Sequence, residues 1–436
     1  MKKEECENCR RLSVENRFLK KRMDELENNI KELEKKLKAY ENAHTPSSQS
    51  RRYPKREPSG NKVGAPNGHK GTTRPQKKPD KIIDVTMEDC PHCKIKLGEP
   101  IATKKRIVED TPEPQPITVT QYNQAVYDCE QCESIVVAEH SDLPEEGQFG
   151  YNLMSEIVLL KYEDRLPLRK IANNLNRRYE LNLTAATVQE LLQRATRKCE
   201  PEYEELKQEV KESKQVNVDE TGQNVQGRKW WNWVFTTLKS VVFFLTNTRG
   251  QQPIKIILGK DYKGVVTCDG WKPYAIIKLI QRCWAHLLRE AKWLMQQKGR
   301  QAKRFYRMLC QLFDKIKQLC EVKIAKKERM QEKIKLEQEL KSLVEWGRSY
   351  EITRPLANKI ANGKNHWFTC VLYPWIEPTN NRAEQELREF VVQRKITGTL
   401  RNEKGTHAME VLLSLLQTWK LRGLNPQTML KQTLRS

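Results

Sequence analysis

From residue 12 to residue 40, apolar positions recur at alternating spacings of four and three: Leu12, Asn16, Leu19, Met23, Leu26, Ile30, Leu33, Leu37 and Tyr40. This is the a/d repeat of a coiled coil, with Leu12, Leu19, Leu26, Leu33 and Tyr40 at d and Asn16, Met23, Ile30 and Leu37 at a. Leucine at d with one Asn at a predicts a parallel two-stranded zipper, because a buried amide is satisfied only by its counterpart in matched register. The expectation is a homodimer through residues 12–40, within a coiled-coil helix spanning 1–43. A solvated helix or an antiparallel contact is the alternative. The pattern then stops. Between His44 and Asp80 stand nine Lys and Arg against two acids, among many Pro, Gly and Ser, so the segment cannot bury a core. Residues 44–82 read as a basic flexible linker, either solubilising or lying along phosphates.

Patterning returns in short pieces. Residues 83–145 carry two CxxC pairs, Cys90/Cys93 and Cys129/Cys132, with strand-like runs at Ile117–Tyr122 and Ala125–Tyr127 between them. Four thiols in two knuckles suit one tetrahedral zinc ion that holds structure and does no chemistry. A redox pair or four unrelated thiols are the other readings. Residues 150–212 alternate at helical spacing. Leu166–Leu175 forms a first helix; Thr184 or Thr187 caps a second, and Thr187 with Glu190 has the capping-box spacing. This pair, with Arg194 on its second member, reads as a helix-turn-helix-like DNA-binding segment or as plain packing.

Beyond residue 213 the period shifts to two. Val216–Asp219, Lys229–Thr237 and Ser240–Thr246 read as strands, separated by turns containing Gly222 and Gly227 and by Leu238-Lys239. A helix at Pro253–Leu258, a strand ending at Asp269, a helix at Tyr274–Leu279 and a strand ending near Cys283–His286 follow. That is the order of a ribonuclease-H-like α/β fold, placed over residues 213–290 and 376–436. Residues 291–375 are too many for one connection. With Phe305, Leu309, Leu312, Ile316 and Leu319 on one face, they read as a helical insertion, serving as a DNA clamp or a dimer contact. The whole is multidomain: coiled coil, small zinc-binding β module, helical segment, and α/β catalytic domain with an insertion.

Asp219 and Asp269 both end apolar strands, and Glu384 falls in the first turns of a helix that Thr379 or Asn380 caps. Two acids on adjacent strands repel each other and call for hard cations, Mg²⁺ or Mn²⁺, and a third acid completes a two-metal site for phosphoryl displacement.

Charge and composition narrow the partner. Lys and Arg number 79 and Asp and Glu 56, a net charge of +23 that suits double-stranded DNA. With 31% charged residues and no apolar run long enough to span a bilayer, a membrane protein is excluded and a cytoplasmic, nucleoid-associated location expected. The twelve cysteines of such a chain are metal ligands or core thiols before they are disulfides.

Val218-Asp219-Glu220-Thr221, Cys268-Asp269-Gly270-Trp271, Cys283-Trp284-Ala285-His286, Pro378 to Glu384, Arg394 to Gly398 and Gly423 to Pro426 together resemble the large transposase of insertion-sequence family sixty-six. The zinc region and the Gly68-His69-Lys70-Gly71 tether resemble it too. The resemblance implies a DDE transposase with the triad Asp219, Asp269 and Glu384, and Glu220 on the other face of its strand. It implies cleavage at element ends and strand transfer into target DNA. Cys283, Trp284 and His286 would support the site, His286 in a structural or phosphate-facing role, and the resemblance suggests small accessory proteins as partners. Arg382, Arg388, Arg394, Lys395 and Arg401 surround the third acid and would hold phosphates, as would Lys70 and Arg194 elsewhere. The competing readings are an inactive, domesticated zinc-containing DNA-binding regulator and a nuclease of the same fold.

Overall fold

A computed structural model describes residues 7–40, 78–297 and 299–436. The linker expected at 44–82 lies mostly outside the described residues, and Lys70 with it. The zipper segment is one helix, α1 (Glu7–Tyr40). Along it Leu12, Leu19, Met23, Leu26, Ile30 and Leu33 are each 49–64% exposed, so the described part of the single chain does not cover the apolar stripe.

The cysteine region holds an antiparallel ribbon, β1 (Val126–Cys129) and β2 (Ser134–Val137), with Cys129 opposite Ser134. Its tight end and the turn at Cys90–Cys93 have the same form. Lys94 N–H donates to Cys90 O at 2.9 Å, and Glu133 N–H donates to Cys129 O at 2.8 Å. Lys94 and Glu133, each directly after a second cysteine, have φ of 61° and 54° and so reverse the chain in the left-handed region. The strand expected at Ala125–Tyr127 is β1, extended to Cys129. The one expected at Ile117–Tyr122 does not form: no ladder reaches it and Val119 is 84% exposed, so β-branched residues alone do not make a strand there.

Three helices follow, α2 (Tyr151–Tyr162), α3 (Leu168–Tyr179) and α4 (Ala185–Glu212). Thr184 is the cap of α4, its hydroxyl accepting from Thr187 N–H at 3.1 Å. Thr187 therefore lies inside the first turn, and Glu190 pairs with Arg194 instead of closing a box. α4 outruns its neighbours and passes beneath the sheet, where Tyr203 OH donates to Phe243 O at 2.8 Å.

The sheet has the order β5-β4-β3-β6-β7, formed by β3 (Gln215–Val225), β4 (Arg228–Thr236), β5 (Val241–Thr246), β6 (Val265–Cys268) and β7 (Leu279–Arg282). β3, β4 and β5 are antiparallel; β6 and β7 run parallel to β3. α5 (Gln252–Ile257) connects β5 to β6. The turn expected at Gly222 is absent, because β3 runs straight through it. The hairpin reverses at Gln226-Gly227, with φ of 51° and 75°, the two-residue turn whose twist matches the flanking strands. The helix expected at Tyr274–Leu279 is a 3₁₀ turn at Lys272–Ile276, since Leu279 already begins β7 and too few residues remain for an α-helix. β7 ends at Arg282, so Cys283–His286 opens a helix and does not close a strand.

That helix, α6 (Trp284–Gln297), leads into α7 (Gly299–Glu321), α8 (Lys326–Arg348), α9 (Arg354–Ala361) and the one-turn α10 (Thr369–Leu372). Phe305, Leu309, Leu312 and Ile316 are buried there as their spacing predicts, in a second core with Leu319 packed at its margin. The chain returns through α11 (Asn381–Thr397), a short β8 (Thr399–Leu400) beside β3, α12 (Glu403–Leu421) and α13 (Pro426–Arg435). The main core is continuous from Tyr151 to Leu434, so α2–α4 share it with the sheet.

α12 seals the outer edge of β5. Val241 N–H donates to Thr418 Oγ1 and Phe243 N–H to Ser414 Oγ, both at 2.9 Å, and Leu245 N–H donates to Glu410 Oε1. Side chains four apart on a helix thus satisfy amides two apart on a strand, where an open edge would recruit another strand. Among the described residues no helix is long and apolar enough to cross a membrane.

Candidate active site

β3 and β6 lie side by side and parallel, with Asn217 opposite Thr267. Continuing that register by two residues sets Asp219 level with Asp269, both half-buried. Glu220 N–H donates to Asp219 Oδ1 at 2.9 Å, and Trp271 N–H donates to Asp269 Oδ1 at 2.8 Å. Burial holds the Asp219 carboxyl well above the ordinary carboxylate range, and the charges of Glu220, Asp269 and Glu384 push it further. Asp219 therefore feels the charge of both other acids selected from sequence.

Glu384 is positioned by Asn380. The Asn380 side chain is fully buried: Nδ2 donates to Val218 O at 2.8 Å and Oδ1 accepts from Asn217 Nδ2 at 3.0 Å. Its backbone N–H meets Cys283 Sγ at 3.1 Å. Asn380 holds the cap position of α11, yet its amide makes no cap bond and is used entirely on β3. The helix carrying Glu384 is thereby tied to the strand carrying Asp219. Trp284 N–H adds a bond to Pro378 O at 3.0 Å, and its buried indole donates to Trp367 O at 2.7 Å, locking the entrance of α6 beside the start of α11.

Two residues one turn apart on α6 take hold of the third acid. Arg289 Nη2 lies 3.2 and 3.0 Å from the two Glu384 oxygens, and His286 Nδ1 lies 3.3 Å from Oε1. Cys283, His286 and Glu384 form the one group of possible ligand atoms lying within 4.8 Å of one another among the described residues. Neither aspartate is in it, so Glu384 is turned toward α6. Burial raises the Cys283 thiol to about 11, which suits its part as hydrogen-bond acceptor at the junction.

Glu220 points away, as strand alternation requires. It is buried, accepting from Arg249 Nη2 at 2.8 Å and from Tyr274 OH at 2.7 Å. Arg249 in turn lies 4.6 Å from the Trp231 ring and 4.2 Å from the Trp271 ring.

The basic residues divide. Arg394 bonds Thr221 Oγ1 at 3.1 Å and Gly222 O, clamping the end of α11 to β3. Arg382 pairs with Glu377 at 2.8 Å, while Arg388, Lys395 and Arg401 are exposed. Arg194 donates to Glu146 O at 2.7 Å and pairs with Glu190. Sequence reading did not single out Arg289, Arg249 or Tyr274. The spacing of three between His286 and Arg289 was a usable signal; for Arg249 there was none.

In the cysteine region, hydrogen bonds draw the thiols together within each pair. N–H groups of Cys93 and His92 pull the Cys90 thiol below its ordinary value, and Ser134, then Cys129, pull Cys132 down. The two pairs are not gathered into one cluster.

The family model described as Transposase IS66 family matches residues 146–408, from the approach to α2 into α12. No curated protein matches the sequence.

Proposed function

The chain belongs to the IS66 transposase family, and on that premise we propose that it cuts DNA at element ends and joins the freed 3′-hydroxyl to target DNA by a two-metal DDE mechanism. The family membership implies transposition and DNA binding. The observation that carries the finer reading is the parallel register of β3 and β6 at Asn217 and Thr267, two residues before Asp219 and Asp269, together with the charge of Asp269 and Glu384 felt at Asp219 and a helix bearing Glu384 that is pinned to β3. The three-antiparallel, two-parallel strand order also supports a ribonuclease-H-like core.

The donor set fits divalent cations: carboxylate oxygens from Asp219 within β3 and from Asp269 just past β6, with the Asp219 carboxyl pushed toward protonation by burial and then by its acidic neighbours. Asp219, Asp269 and Glu384 would hold Mg²⁺ or Mn²⁺, which when bound would polarise the scissile phosphodiester and the attacking water or hydroxyl. The chain's own residues supply position. Asn380 fixes the start of α11 against β3, and Arg289 and His286 hold the Glu384 carboxylate toward α6, from which it must turn to share a cation with the two aspartates. Arg388, Lys395 and Arg401 present exposed charge to the DNA backbone. Incubating a duplex of the terminal sequence with the full chain and Mg²⁺ or Mn²⁺ tests the reading. Nicking followed by joined product supports a transposase, nicking alone supports a nuclease, and tight binding without cutting supports a regulator.

Structural zinc at Cys90, Cys93, Cys129 and Cys132 belongs to the same proposal, supported by two turns of identical form and by lowered thiols at Cys90 and Cys132. The described arrangement fits each half of a four-thiolate site, and the halves must close to complete it. Metal analysis of the purified chain is expected to find one zinc per chain, lost when Cys90 and Cys129 are both replaced by Ser; a full complement in that variant would sink the idea.

Dimerisation through residues 12–40 rests on the uncovered stripe of α1. Sedimentation is expected to give a dimer for the wild type and a monomer for Leu19→Glu/Leu26→Glu, because charges at d positions cannot be buried in a zipper seam. An unchanged dimer would place the contact elsewhere.

A further inference from the structure

Arg282, the last residue of β7, stands opposite Cys268, one residue before Asp269. The one hydrogen bond of its guanidinium among the described residues is long, from Nη1 to Lys359 O at 3.4 Å, and no carboxylate pairs with it there. The guanidinium carbon lies 5.5 Å from the Trp367 ring centre. Two glycines make room for the group. A Cβ on Gly363 would fall 2.2 Å from Nη1 and 2.4 Å from Cζ, and one on Gly270 would fall 3.3 Å from Nη1. Arg282 therefore fills the seam between the Asp269-Gly270 turn and the turn that follows α9 in the insertion.

Such a placement is unfavourable for an isolated chain. Burial draws the Arg282 pKa down, and Cys268 and then Asp269 nearby offset this only in part. His366, half-buried, is itself lowered by burial and by the charges of Arg282 and Lys333, and Lys333 is already paired with Glu337 at 2.6 Å. A partly desolvated guanidinium with unused donors and no carboxylate in direct contact is matched by a planar or tetrahedral oxyanion, which it grips with two N–H groups.

We propose that Arg282 binds a DNA phosphodiester next to the one placed at Asp269, with the Gly363 turn of the helical insertion forming one wall of the DNA channel. This rests on the reading that DNA passes over Asp219 and Asp269. Of the two parts read for the insertion from sequence, DNA clamp or dimer contact, it favours the first and assigns it to the Gly363 turn. Gly363 has φ of −111°, an ordinary value, so what a side chain meets there is the far end of Arg282.

The test is fluorescence anisotropy of the full chain with a labelled terminal duplex and an unrelated duplex of equal length. Sodium chloride is titrated with Ca²⁺ at a fixed level, to neutralise the acids. Arg282→Gln is expected to weaken binding about tenfold and to lower the salt slope by about one phosphate contact on both duplexes. Gly363→Ala should do the same alone and add nothing on top of Arg282→Gln. An unchanged slope, a loss confined to the terminal duplex, or an equal effect of Gly363→Ala in both backgrounds would overturn the proposal. Failure of the catalytic reading shows separately, as cutting that survives Asp269→Asn, because the salt slope does not depend on cutting.

Discussion

Asp269→Asn is expected to abolish metal-dependent nicking of terminal DNA, with a fall of at least about a thousandfold, because acids that act as one unit fail together. The substitution keeps the shape of the side chain and an oxygen that can accept from Trp271 N–H, at present 2.8 Å from Oδ1. What it removes is the charge. The fold should therefore survive, and DNA affinity should hold or rise, since one fewer negative charge faces the phosphates. Single-turnover nicking with Mg²⁺ and Mn²⁺, beside the melting curve of the same preparation, reads both quantities. Residual nicking within tenfold of the wild type would remove Asp269 from the reaction.

Asp219→Asn should destroy cutting to a similar degree and yet stabilise the protein in the absence of divalent cations. Burial and three acidic neighbours raise the Asp219 pKa in the folded chain above its unfolded value. A carboxyl shifted in that direction favours the fold fully at pH below its unfolded pKa, and the contribution is lost as pH rises through the raised folded value. At neutral pH, well above the unfolded pKa, the fold bears the cost of this shift whether the carboxyl is charged or held protonated, and the amide relieves it. The melting temperature should rise by about 2–4 °C for each kcal/mol relieved, and the gain should shrink as the buffer is made acidic. Mg²⁺ should raise the melting temperature of the wild type and leave the variant nearly unmoved. A variant that melts below the wild type in chelator at neutral pH would contradict this account.

How far the sequence discloses this site depends on how local each determinant is. Asp219 and Asp269 are legible because each follows an apolar run, but only Asp269 stands at a strand end: β6 stops at Cys268, whereas β3 continues past Asp219 to Val225, so the acid expected to close its strand lies within it. The buried face of α7 is legible for the same reason: Phe305, Leu309, Leu312 and Ile316 repeat at helical spacing. Gly222 misleads, since a glycine between polar residues reads equally as a turn or as a strand interior. What decides is the pairing of β3 with β4 through nine consecutive partners, a tertiary fact. Asn380 shows the limit most clearly. As a candidate cap it has an ordinary local explanation, but its partners lie 162 and 163 positions away at Val218 and Asn217. No periodicity points across such a gap. The cation–π setting of Arg249 and the glycine seam around Arg282 are likewise products of packing between segments, carried by residue types that are common everywhere.

The lattice of bonds between α12 and β5 behaves as a vernier. Four helical residues advance about 6 Å and two strand residues about 6.8 Å, so each successive rung slips by roughly 0.8 Å. Three rungs, at Thr418, Ser414 and Glu410, fall within the tolerance of a hydrogen bond; a fourth would be drawn well out of line. The scheme thus sets an upper length on the strand it protects, and β5 has six residues. It also makes the helix intolerant of indels. One residue inserted between Glu410 and Thr418 turns the rungs about 100° apart and reopens the edge, so length change in this family member should be confined to loops on the opposite side of the sheet.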